Sequence, residues 1–162
     1  MTLEDFRKIT QQRSWESYAK QLLQELKPSA EISRVFGTYW IEAGHRIREQ
    51  LGDDQALVHL LRHMLLPYEG IAVMLYRGEN LARWEDRSVG FAWTSNVEVA
   101  RMFGRGLNAI SSGGVLLEGS FPPEAIISGP NDHSLWLGEE QFTIDPFHET
   151  ILRPIEFFPP IS

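Results

Sequence analysis

The pattern of apolar residues changes once along the chain, close to Pro67, and this change constrains the fold more than any other feature. Before it, apolar residues recur every three or four positions, which is typical of one face of a helix. We therefore predict three helices, over residues 15–26, 36–47 and 57–65. A proline or a glycine follows each stripe and would end the helix there.

After Pro67, short apolar segments bounded by glycine, proline or polar residues predict β-strands. These segments are IAVMLYRG, GFAWTS, VLLEGSF, AIISG, EEQFTIDP and ILRPIEFF. Between the second and the third, SNVEVARMF predicts a short helix, in which Ser95 and Glu98 have the spacing of a capping box. We predict an α+β fold in one compact domain, with a helical N-terminal subdomain over residues 1–70 and a core over residues 71–162.

The composition fits a globular protein, since 43% of the 162 residues are hydrophobic. Without cysteine, disulfides and thiolate metal sites are excluded. The polar N-terminus resembles no secretory signal, and no apolar run reaches the ~20 residues of a membrane span, so we expect a cytoplasmic protein, or one delivered into a target cell. His59 and His63 share a helical face but lack a third ligand, so we predict no metal site.

The net charge of −7 disfavours a broad nucleic-acid-binding surface. A local basic patch stays possible, because four arginines lie close together in the sequence. They are Arg83, Arg87, Arg101 and Arg105.

Arg77 stands out because it ends an apolar segment that we predict to be a buried strand. A buried cation needs a partner. An anionic ligand such as a phosphate is one candidate, because the guanidinium fork matches phosphate. An ion pair with Glu79 or Glu85 is the other.

The segment that begins at Glu139 combines acidic side chains with the start of a strand. Alternation predicts that Phe142 and Ile144 point to the core, and that Glu139 and Gln141 are presented together on the other face. By the same parity Glu140 belongs to the core face, unless it lies just before the strand.

In this order, the motifs LYRG, GFAWTS and EEQFTIDPF resemble the three signatures of the R-S-E class of mono-ADP-ribosyltransferases, over roughly residues 71–158. The resemblance implies a core of two small, mainly antiparallel sheets that form an NAD cleft. It also implies transfer of ADP-ribose from NAD, without a metal, to a protein arginine or a nucleic-acid base. Small bacterial transferases of this kind are often toxins, which implies an antitoxin or immunity protein as a partner.

Matched to the first two signatures, Arg77 would bind the phosphate and ribose region of NAD, and Gly78 would allow close approach to the nicotinamide. Thr94 and Ser95 match the second and third letters of the Ser-Thr-Ser motif, whose hydroxyls orient the catalytic carboxylate. Trp93 replaces its first serine. Which hydroxyl would orient the carboxylate therefore stays open.

Further along, the resemblance implies that Phe103 stacks on the nicotinamide and that Glu139 engages the acceptor. Gln141 occupies the position of the catalytic glutamate. Three explanations stay open: an introduced Glu-to-Gln change, a natural protein that binds without catalysis, or a shifted register in which Glu140 or Glu139 carries the charge.

Two hypotheses follow, an ADP-ribosyltransferase weakened by Gln141 and a non-catalytic module that binds NAD or a protein. Under the first, the side chains of Arg77, Thr94 and Gln141 should converge on a single cleft.

Overall fold

The computed structural model describes all residues from Met1 to Ser162, and these form two compact units. The helical unit comprises Met1–Pro67 and Asn131–Ser134. The β-rich unit comprises Tyr68–Pro130 and Leu135–Ser162. The sequence placed one boundary at residue 70 and did not anticipate that residues 131–134 group with the helices.

Four helices build the helical unit: α1 (Leu3–Gln11), α2 (Trp15–Gln24), α3 (Ala30–Leu51) and α4 (Asp54–Met64). The three predicted stripes correspond to α2, α3 and α4. Gly52, in a left-handed conformation with φ of 61°, ends α3, and the Asp53 carboxylate caps α4 by accepting from two backbone amides. None of the helices has the length and apolar character that crossing a membrane requires.

Aromatic rings form the centre of the helical unit. Phe6 contacts Trp15, Phe36 and Tyr39 at ring-centroid distances of 5.4–6.1 Å. The hydroxyl of Thr10 accepts a hydrogen bond of 2.8 Å from the indole nitrogen of Trp15. These rings hold α1, α2 and α3 together, because Phe6 belongs to α1, Trp15 to α2, and both Phe36 and Tyr39 to α3.

The β-rich unit contains six strands and short helices between them. The strands are β1 (Val73–Asn80), β2 (Ala92–Thr94), β3 (Gly114–Phe121), β4 (Ile126–Ser128), β5 (Gln141–Ile144) and β6 (Leu152–Phe158). The helices are α5 (Leu81–Glu85), α6 (Val97–Arg105) and α7 (Asp132–Trp136), and the last spans the point where the chain passes from one unit back to the other.

All six strands belong to one antiparallel sheet with the order β4-β5-β2-β1-β3-β6. The predicted mixture of helices and strands is confirmed, but two separate sheets are not found. The strands form one sheet because β1 and β2 pair with each other, although only between Tyr76 and Thr94. By contrast, β1 and β3 pair from Val73 to Asn80. A single pair thus joins two three-stranded halves.

The two faces of the sheet pack differently. Leu75, Trp93 and Phe142 contribute to a buried apolar cluster on one face. On the other, α6 lies directly on β1, since a Cβ at Gly78 would be 2.1 Å from the carbonyl oxygen of Ala100 and 2.2 Å from the amide nitrogen of Gly104. Only glycine fits β1 at this crossing.

We expect Gly78→Ala to lower the free energy of unfolding by about 3 kcal/mol, because its methyl group would meet backbone atoms that cannot move aside by changing rotamer. Chemical denaturation of the whole chain measures this loss. Gly138→Ala is the control: Gly138 has φ of 75° and open space around it, so only backbone strain of about 1 kcal/mol is expected. Equal losses in the two variants would contradict the crossing.

Candidate functional site

Three polar side chains lie side by side where β2 ends. Thr94 pairs with Tyr76 of β1 on one side and with Gln141 of β5 on the other. Directly paired residues of antiparallel strands point to the same face of the sheet, with Cβ atoms about 4.5–5.5 Å apart. The expected meeting of Thr94 and Gln141 is therefore found.

The residue after Thr94 brings a carboxylate to the same strand end. The hydroxyl of Ser95 donates a hydrogen bond of 3.2 Å to Oε2 of Glu140. The predicted capping box of Ser95 is wrong, because Asn96 caps α6 by accepting from the amides of Glu98 and Val99. Relieved of capping, the Ser95 hydroxyl is available to the carboxylate.

Of the two placements that the sequence leaves open for Glu140, the structure has the one just before the strand, so parity does not turn its side chain to the core. Strand β5 begins at Gln141, and Glu140 precedes it with φ of 46°. A non-glycine residue in this left-handed region is strained, and such strain is concentrated at functional sites. The turn redirects the Glu140 side chain toward Ser95 instead of the core.

Because β5 begins at Gln141, Glu139 and Gln141 are not on the same strand. Both side chains are half-buried, but Glu139 lies outside β5, so alternation along a strand does not pair it with Gln141. Phe142 and Ile144 are buried as predicted, at 8% and 3% exposure.

Arg77 lies on the opposite face of the sheet from Thr94 and Gln141. Its neighbour Tyr76 shares a face with Thr94, so Arg77 alternates to the other face, and its pair on β3 is the buried Leu117. The expected convergence of the three side chains fails for Arg77.

Arg77 forms an ion pair with the buried carboxylate of Glu79. Its Nε donates to Oε2 of Glu79 at 2.7 Å, and its Nη1 donates to the carbonyl oxygen of Ala92 at 2.8 Å. The Glu79 side chain is 0% exposed and that of Arg77 is 14% exposed. Of the two partners that the sequence allowed, a ligand anion or a nearby acid, the structure contains the acid.

The environment of Glu79 keeps it ionised. Burial on its own would raise the pKa of the carboxyl. The Arg77 guanidinium and the N–H groups of Gly90 and Asn80 outweigh this effect, so the pKa lies below its usual value. Those amides donate to the two carboxylate oxygens at 2.8 and 2.7 Å.

This ion pair lies where the ladder between β1 and β2 stops. Past the Tyr76–Thr94 pair, Arg77 reaches Ala92 and Glu79 reaches Gly90. A Cβ at Gly90 would be 2.2 Å from Nη2 of Arg77, so a side chain there would displace the guanidinium. The sequence offered no signal for this use of Gly90.

The remaining residues that the resemblance assigned to NAD binding are Gly78, Trp93 and Phe103. Helix α6 fills the space beside Gly78 that was assigned to nicotinamide. Trp93 is 1% exposed, donates from Nε1 to the carbonyl of Gly90 and packs against Phe121, so it is part of the core. Phe103 is half-buried on α6.

No cluster of three or more histidine and acidic side chains is placed to hold a metal ion.

Comparisons of the chain with protein-family models, with curated proteins and with solved structures found no match. The geometry of the strand end is therefore the basis for assigning a function.

We expect Glu79→Gln to destabilise the protein by about 3–5 kcal/mol at neutral pH, because it leaves the Arg77 cation buried without a counter-charge. Since the folded state lowers the pKa of Glu79, the carboxylate stabilises the fold above its ordinary pKa of 4.5. That contribution disappears as the pH falls below this value. Denaturation at pH 7 and at lower pH measures both effects.

Glu98→Gln is the matched control, because Glu98 pairs with Arg101 on the surface with 70% of its side chain exposed. It should change stability little at any pH. If Glu79→Gln behaved in the same way, the buried pair would not stabilise the fold.

Proposed function

We propose that the β-rich unit is an NAD-dependent mono-ADP-ribosyltransferase core whose catalytic carboxylate is Glu140. The hydrogen bond between Ser95 and Glu140 carries this proposal. It reproduces, with a different glutamate, the pairing of a Ser-Thr-Ser hydroxyl with a carboxylate that the resemblance implies. Of the three explanations for Gln141, it favours the shifted register.

The chemistry explains why a carboxylate matters here. In ADP-ribosyl transfer the bond between the nicotinamide nitrogen and the ribose breaks, its electron pair leaves with the nicotinamide, and positive charge develops on the ribose. A carboxylate fixed beside that sugar stabilises the transition state more than the ground state. Ser95 fixes Glu140 by its hydrogen bond, and the strained turn orients it.

The half-buried Gln141 suits the polar edge of a ribose, whereas Thr94 is buried and accepts from the amide of Asn96. The Gln141 carbonyl can accept a hydrogen bond from the 2′-hydroxyl, although it brings no charge. The acceptor nitrogen then attacks the ribose carbon that the nicotinamide has left and releases a proton. Glu139 is the carboxylate to which the resemblance gives contact with the acceptor, so we propose that it takes this proton.

The fit to the phosphates of NAD is weaker. Arg77 is committed to Glu79 on the other face, and Arg101 pairs with Glu98 and Glu156. On α6 itself, Arg105 is exposed and belongs to none of the ion pairs, so one cation remains there for a phosphate. The net charge of −7 nevertheless favours a protein arginine over a nucleic-acid base as acceptor.

A non-catalytic binding module is the second candidate. The observation that favours it is the commitment of Arg77 to a buried ion pair together with the neutral Gln141. Such a module would hold NAD or a protein at the same strand end without cleaving the nicotinamide bond.

Transfer of label from radioactive NAD to proteins of a cell extract distinguishes the candidates. We expect the natural sequence to transfer label and Glu140→Gln to lose on the order of 10²–10³-fold in rate, as for other lost electrostatic groups. Ser95→Ala should lose less, because it frees the carboxylate without removing it. The product should be sensitive to protease and resistant to nuclease.

Glu69→Gln is the control, because Glu69 is an exposed glutamate of the same unit, and it should transfer label at the unchanged rate. Gln141→Glu tests the register. If only this variant transfers label, Gln141 marks the catalytic position and our assignment of Glu140 is wrong. If no form transfers label or hydrolyses NAD, the binding module is the better explanation.

A further prediction concerns Arg77. We expect Arg77→Ala to cost about 3–5 kcal/mol of stability, because Glu79 then stays buried and charged alone. The double variant Arg77→Met/Glu79→Leu removes both charges and should regain part of this loss, but not all of it, because the amides of Gly90 and Asn80 lose their acceptor. Calorimetric titration of the double variant with NAD should give the affinity of the natural sequence. A large loss of affinity in a folded double variant would instead show that Arg77 binds NAD.

A further inference from the structure

A cavity of about 470 Å³ opens on the face of the sheet opposite the Ser95–Glu140 site. Its position follows from Trp93, which lines it and which alternates with Thr94 along β2. The volume lies within the range of about 300–1,000 Å³ that is typical of small-molecule sites. The proposed transferase chemistry does not use this cavity.

The walls of the cavity are mainly apolar and aromatic. Trp93 and Ile144 form buried parts of the wall, while Trp84 of α5 and Leu152 of β6 are half-buried. Apolar walls of this kind gain free energy when a ligand displaces water from them. The half-buried indole of Trp84 is an aromatic group of the kind that pairs with a flat aromatic ring.

One cation lies at this cavity. Arg87 contributes to the lining, and it belongs to none of the ion pairs of the structure. An unpaired guanidinium beside apolar walls attracts an anion, and its planar fork matches a carboxylate or a phosphate.

Arg87 has a left-handed backbone conformation. Its φ is 58°, a left-handed conformation that glycine and asparagine adopt more easily than arginine does. The turn that follows α5 therefore holds an arginine where backbone preference favours other residues. This turn places Arg87 at the wall of the cavity that Trp84 also lines.

We propose that this cavity binds a small flat aromatic molecule that carries one negative group, with its ring against Trp84 and its anion on Arg87. Two sources share this chemistry, an aryl carboxylate and a nucleoside monophosphate. Binding in this cavity is independent of the proposed transferase function, because the cavity lies on the other face of the sheet and binding alone tests it.

The probe is 8-anilino-1-naphthalenesulfonate, an aromatic anion whose fluorescence rises in apolar sites. We expect it to bind the natural sequence at one site, and Arg87→Asn to weaken binding about tenfold, the effect of losing one charge-assisted hydrogen bond. Asparagine tolerates the left-handed turn, so this variant keeps the fold, which near-ultraviolet circular dichroism verifies. Trp84→Leu should weaken binding as well.

Arg83→Gln is the matched control, since Arg83 is an exposed arginine of α5, the helix of Trp84, and does not line the cavity. It should leave binding unchanged. Competition then identifies the source: displacement by indole-3-acetate indicates an aryl carboxylate, and displacement by adenosine monophosphate indicates a nucleotide. The proposal is overturned if Arg87→Asn binds the probe as tightly as the natural sequence, if Arg83→Gln weakens it equally, or if neither competitor displaces it.

Discussion

The ion pair between Arg77 and Glu79 is the interaction on which the β-rich unit depends. It lies where backbone pairing between β1 and β2 ends after a single pair, and its side chains replace the missing ladder by reaching Ala92 and Gly90. An unpaired charge at this depth is strongly unfavourable. The pair therefore fixes the distance between the two halves of the sheet, and with it the strand end that carries Thr94 and Ser95.

The sequence predicted the strands and four of the seven α-helices, because their signals are local, but it missed α1, α5 and α7. Apolar periodicity located α2, α3 and α4, and short apolar runs located all six strands. The sequence also named Glu79 as a possible partner of Arg77, and strand geometry favours it over Glu85, because residues two apart on a strand share a face. These inferences need no knowledge of how distant segments meet.

Local sequence signals did not decide which residue caps α6 or at which residue β5 begins, and the geometry of the site depends on both. Ser95 and Asn96 are both good capping residues, and only the structure shows that Asn96 caps α6 and leaves Ser95 to Glu140. The starting residue of β5 decided whether Glu140 faced the core, and a left-handed turn placed it outside the strand. The joining of all strands into one sheet rests on one pair between distant residues.

The Glu79 carboxylate also affects the backbone amides that donate to it. Its two oxygens accept from the backbone amides of Gly90 and Asn80, which belong to segments on either side of the gap. The amide protons at both positions are therefore shielded from exchange with water by an ionisable group instead of a carbonyl. Their nuclear magnetic resonance signals should shift together as that one carboxylate takes up a proton, so two distant points of the backbone form a single reporter of its charge.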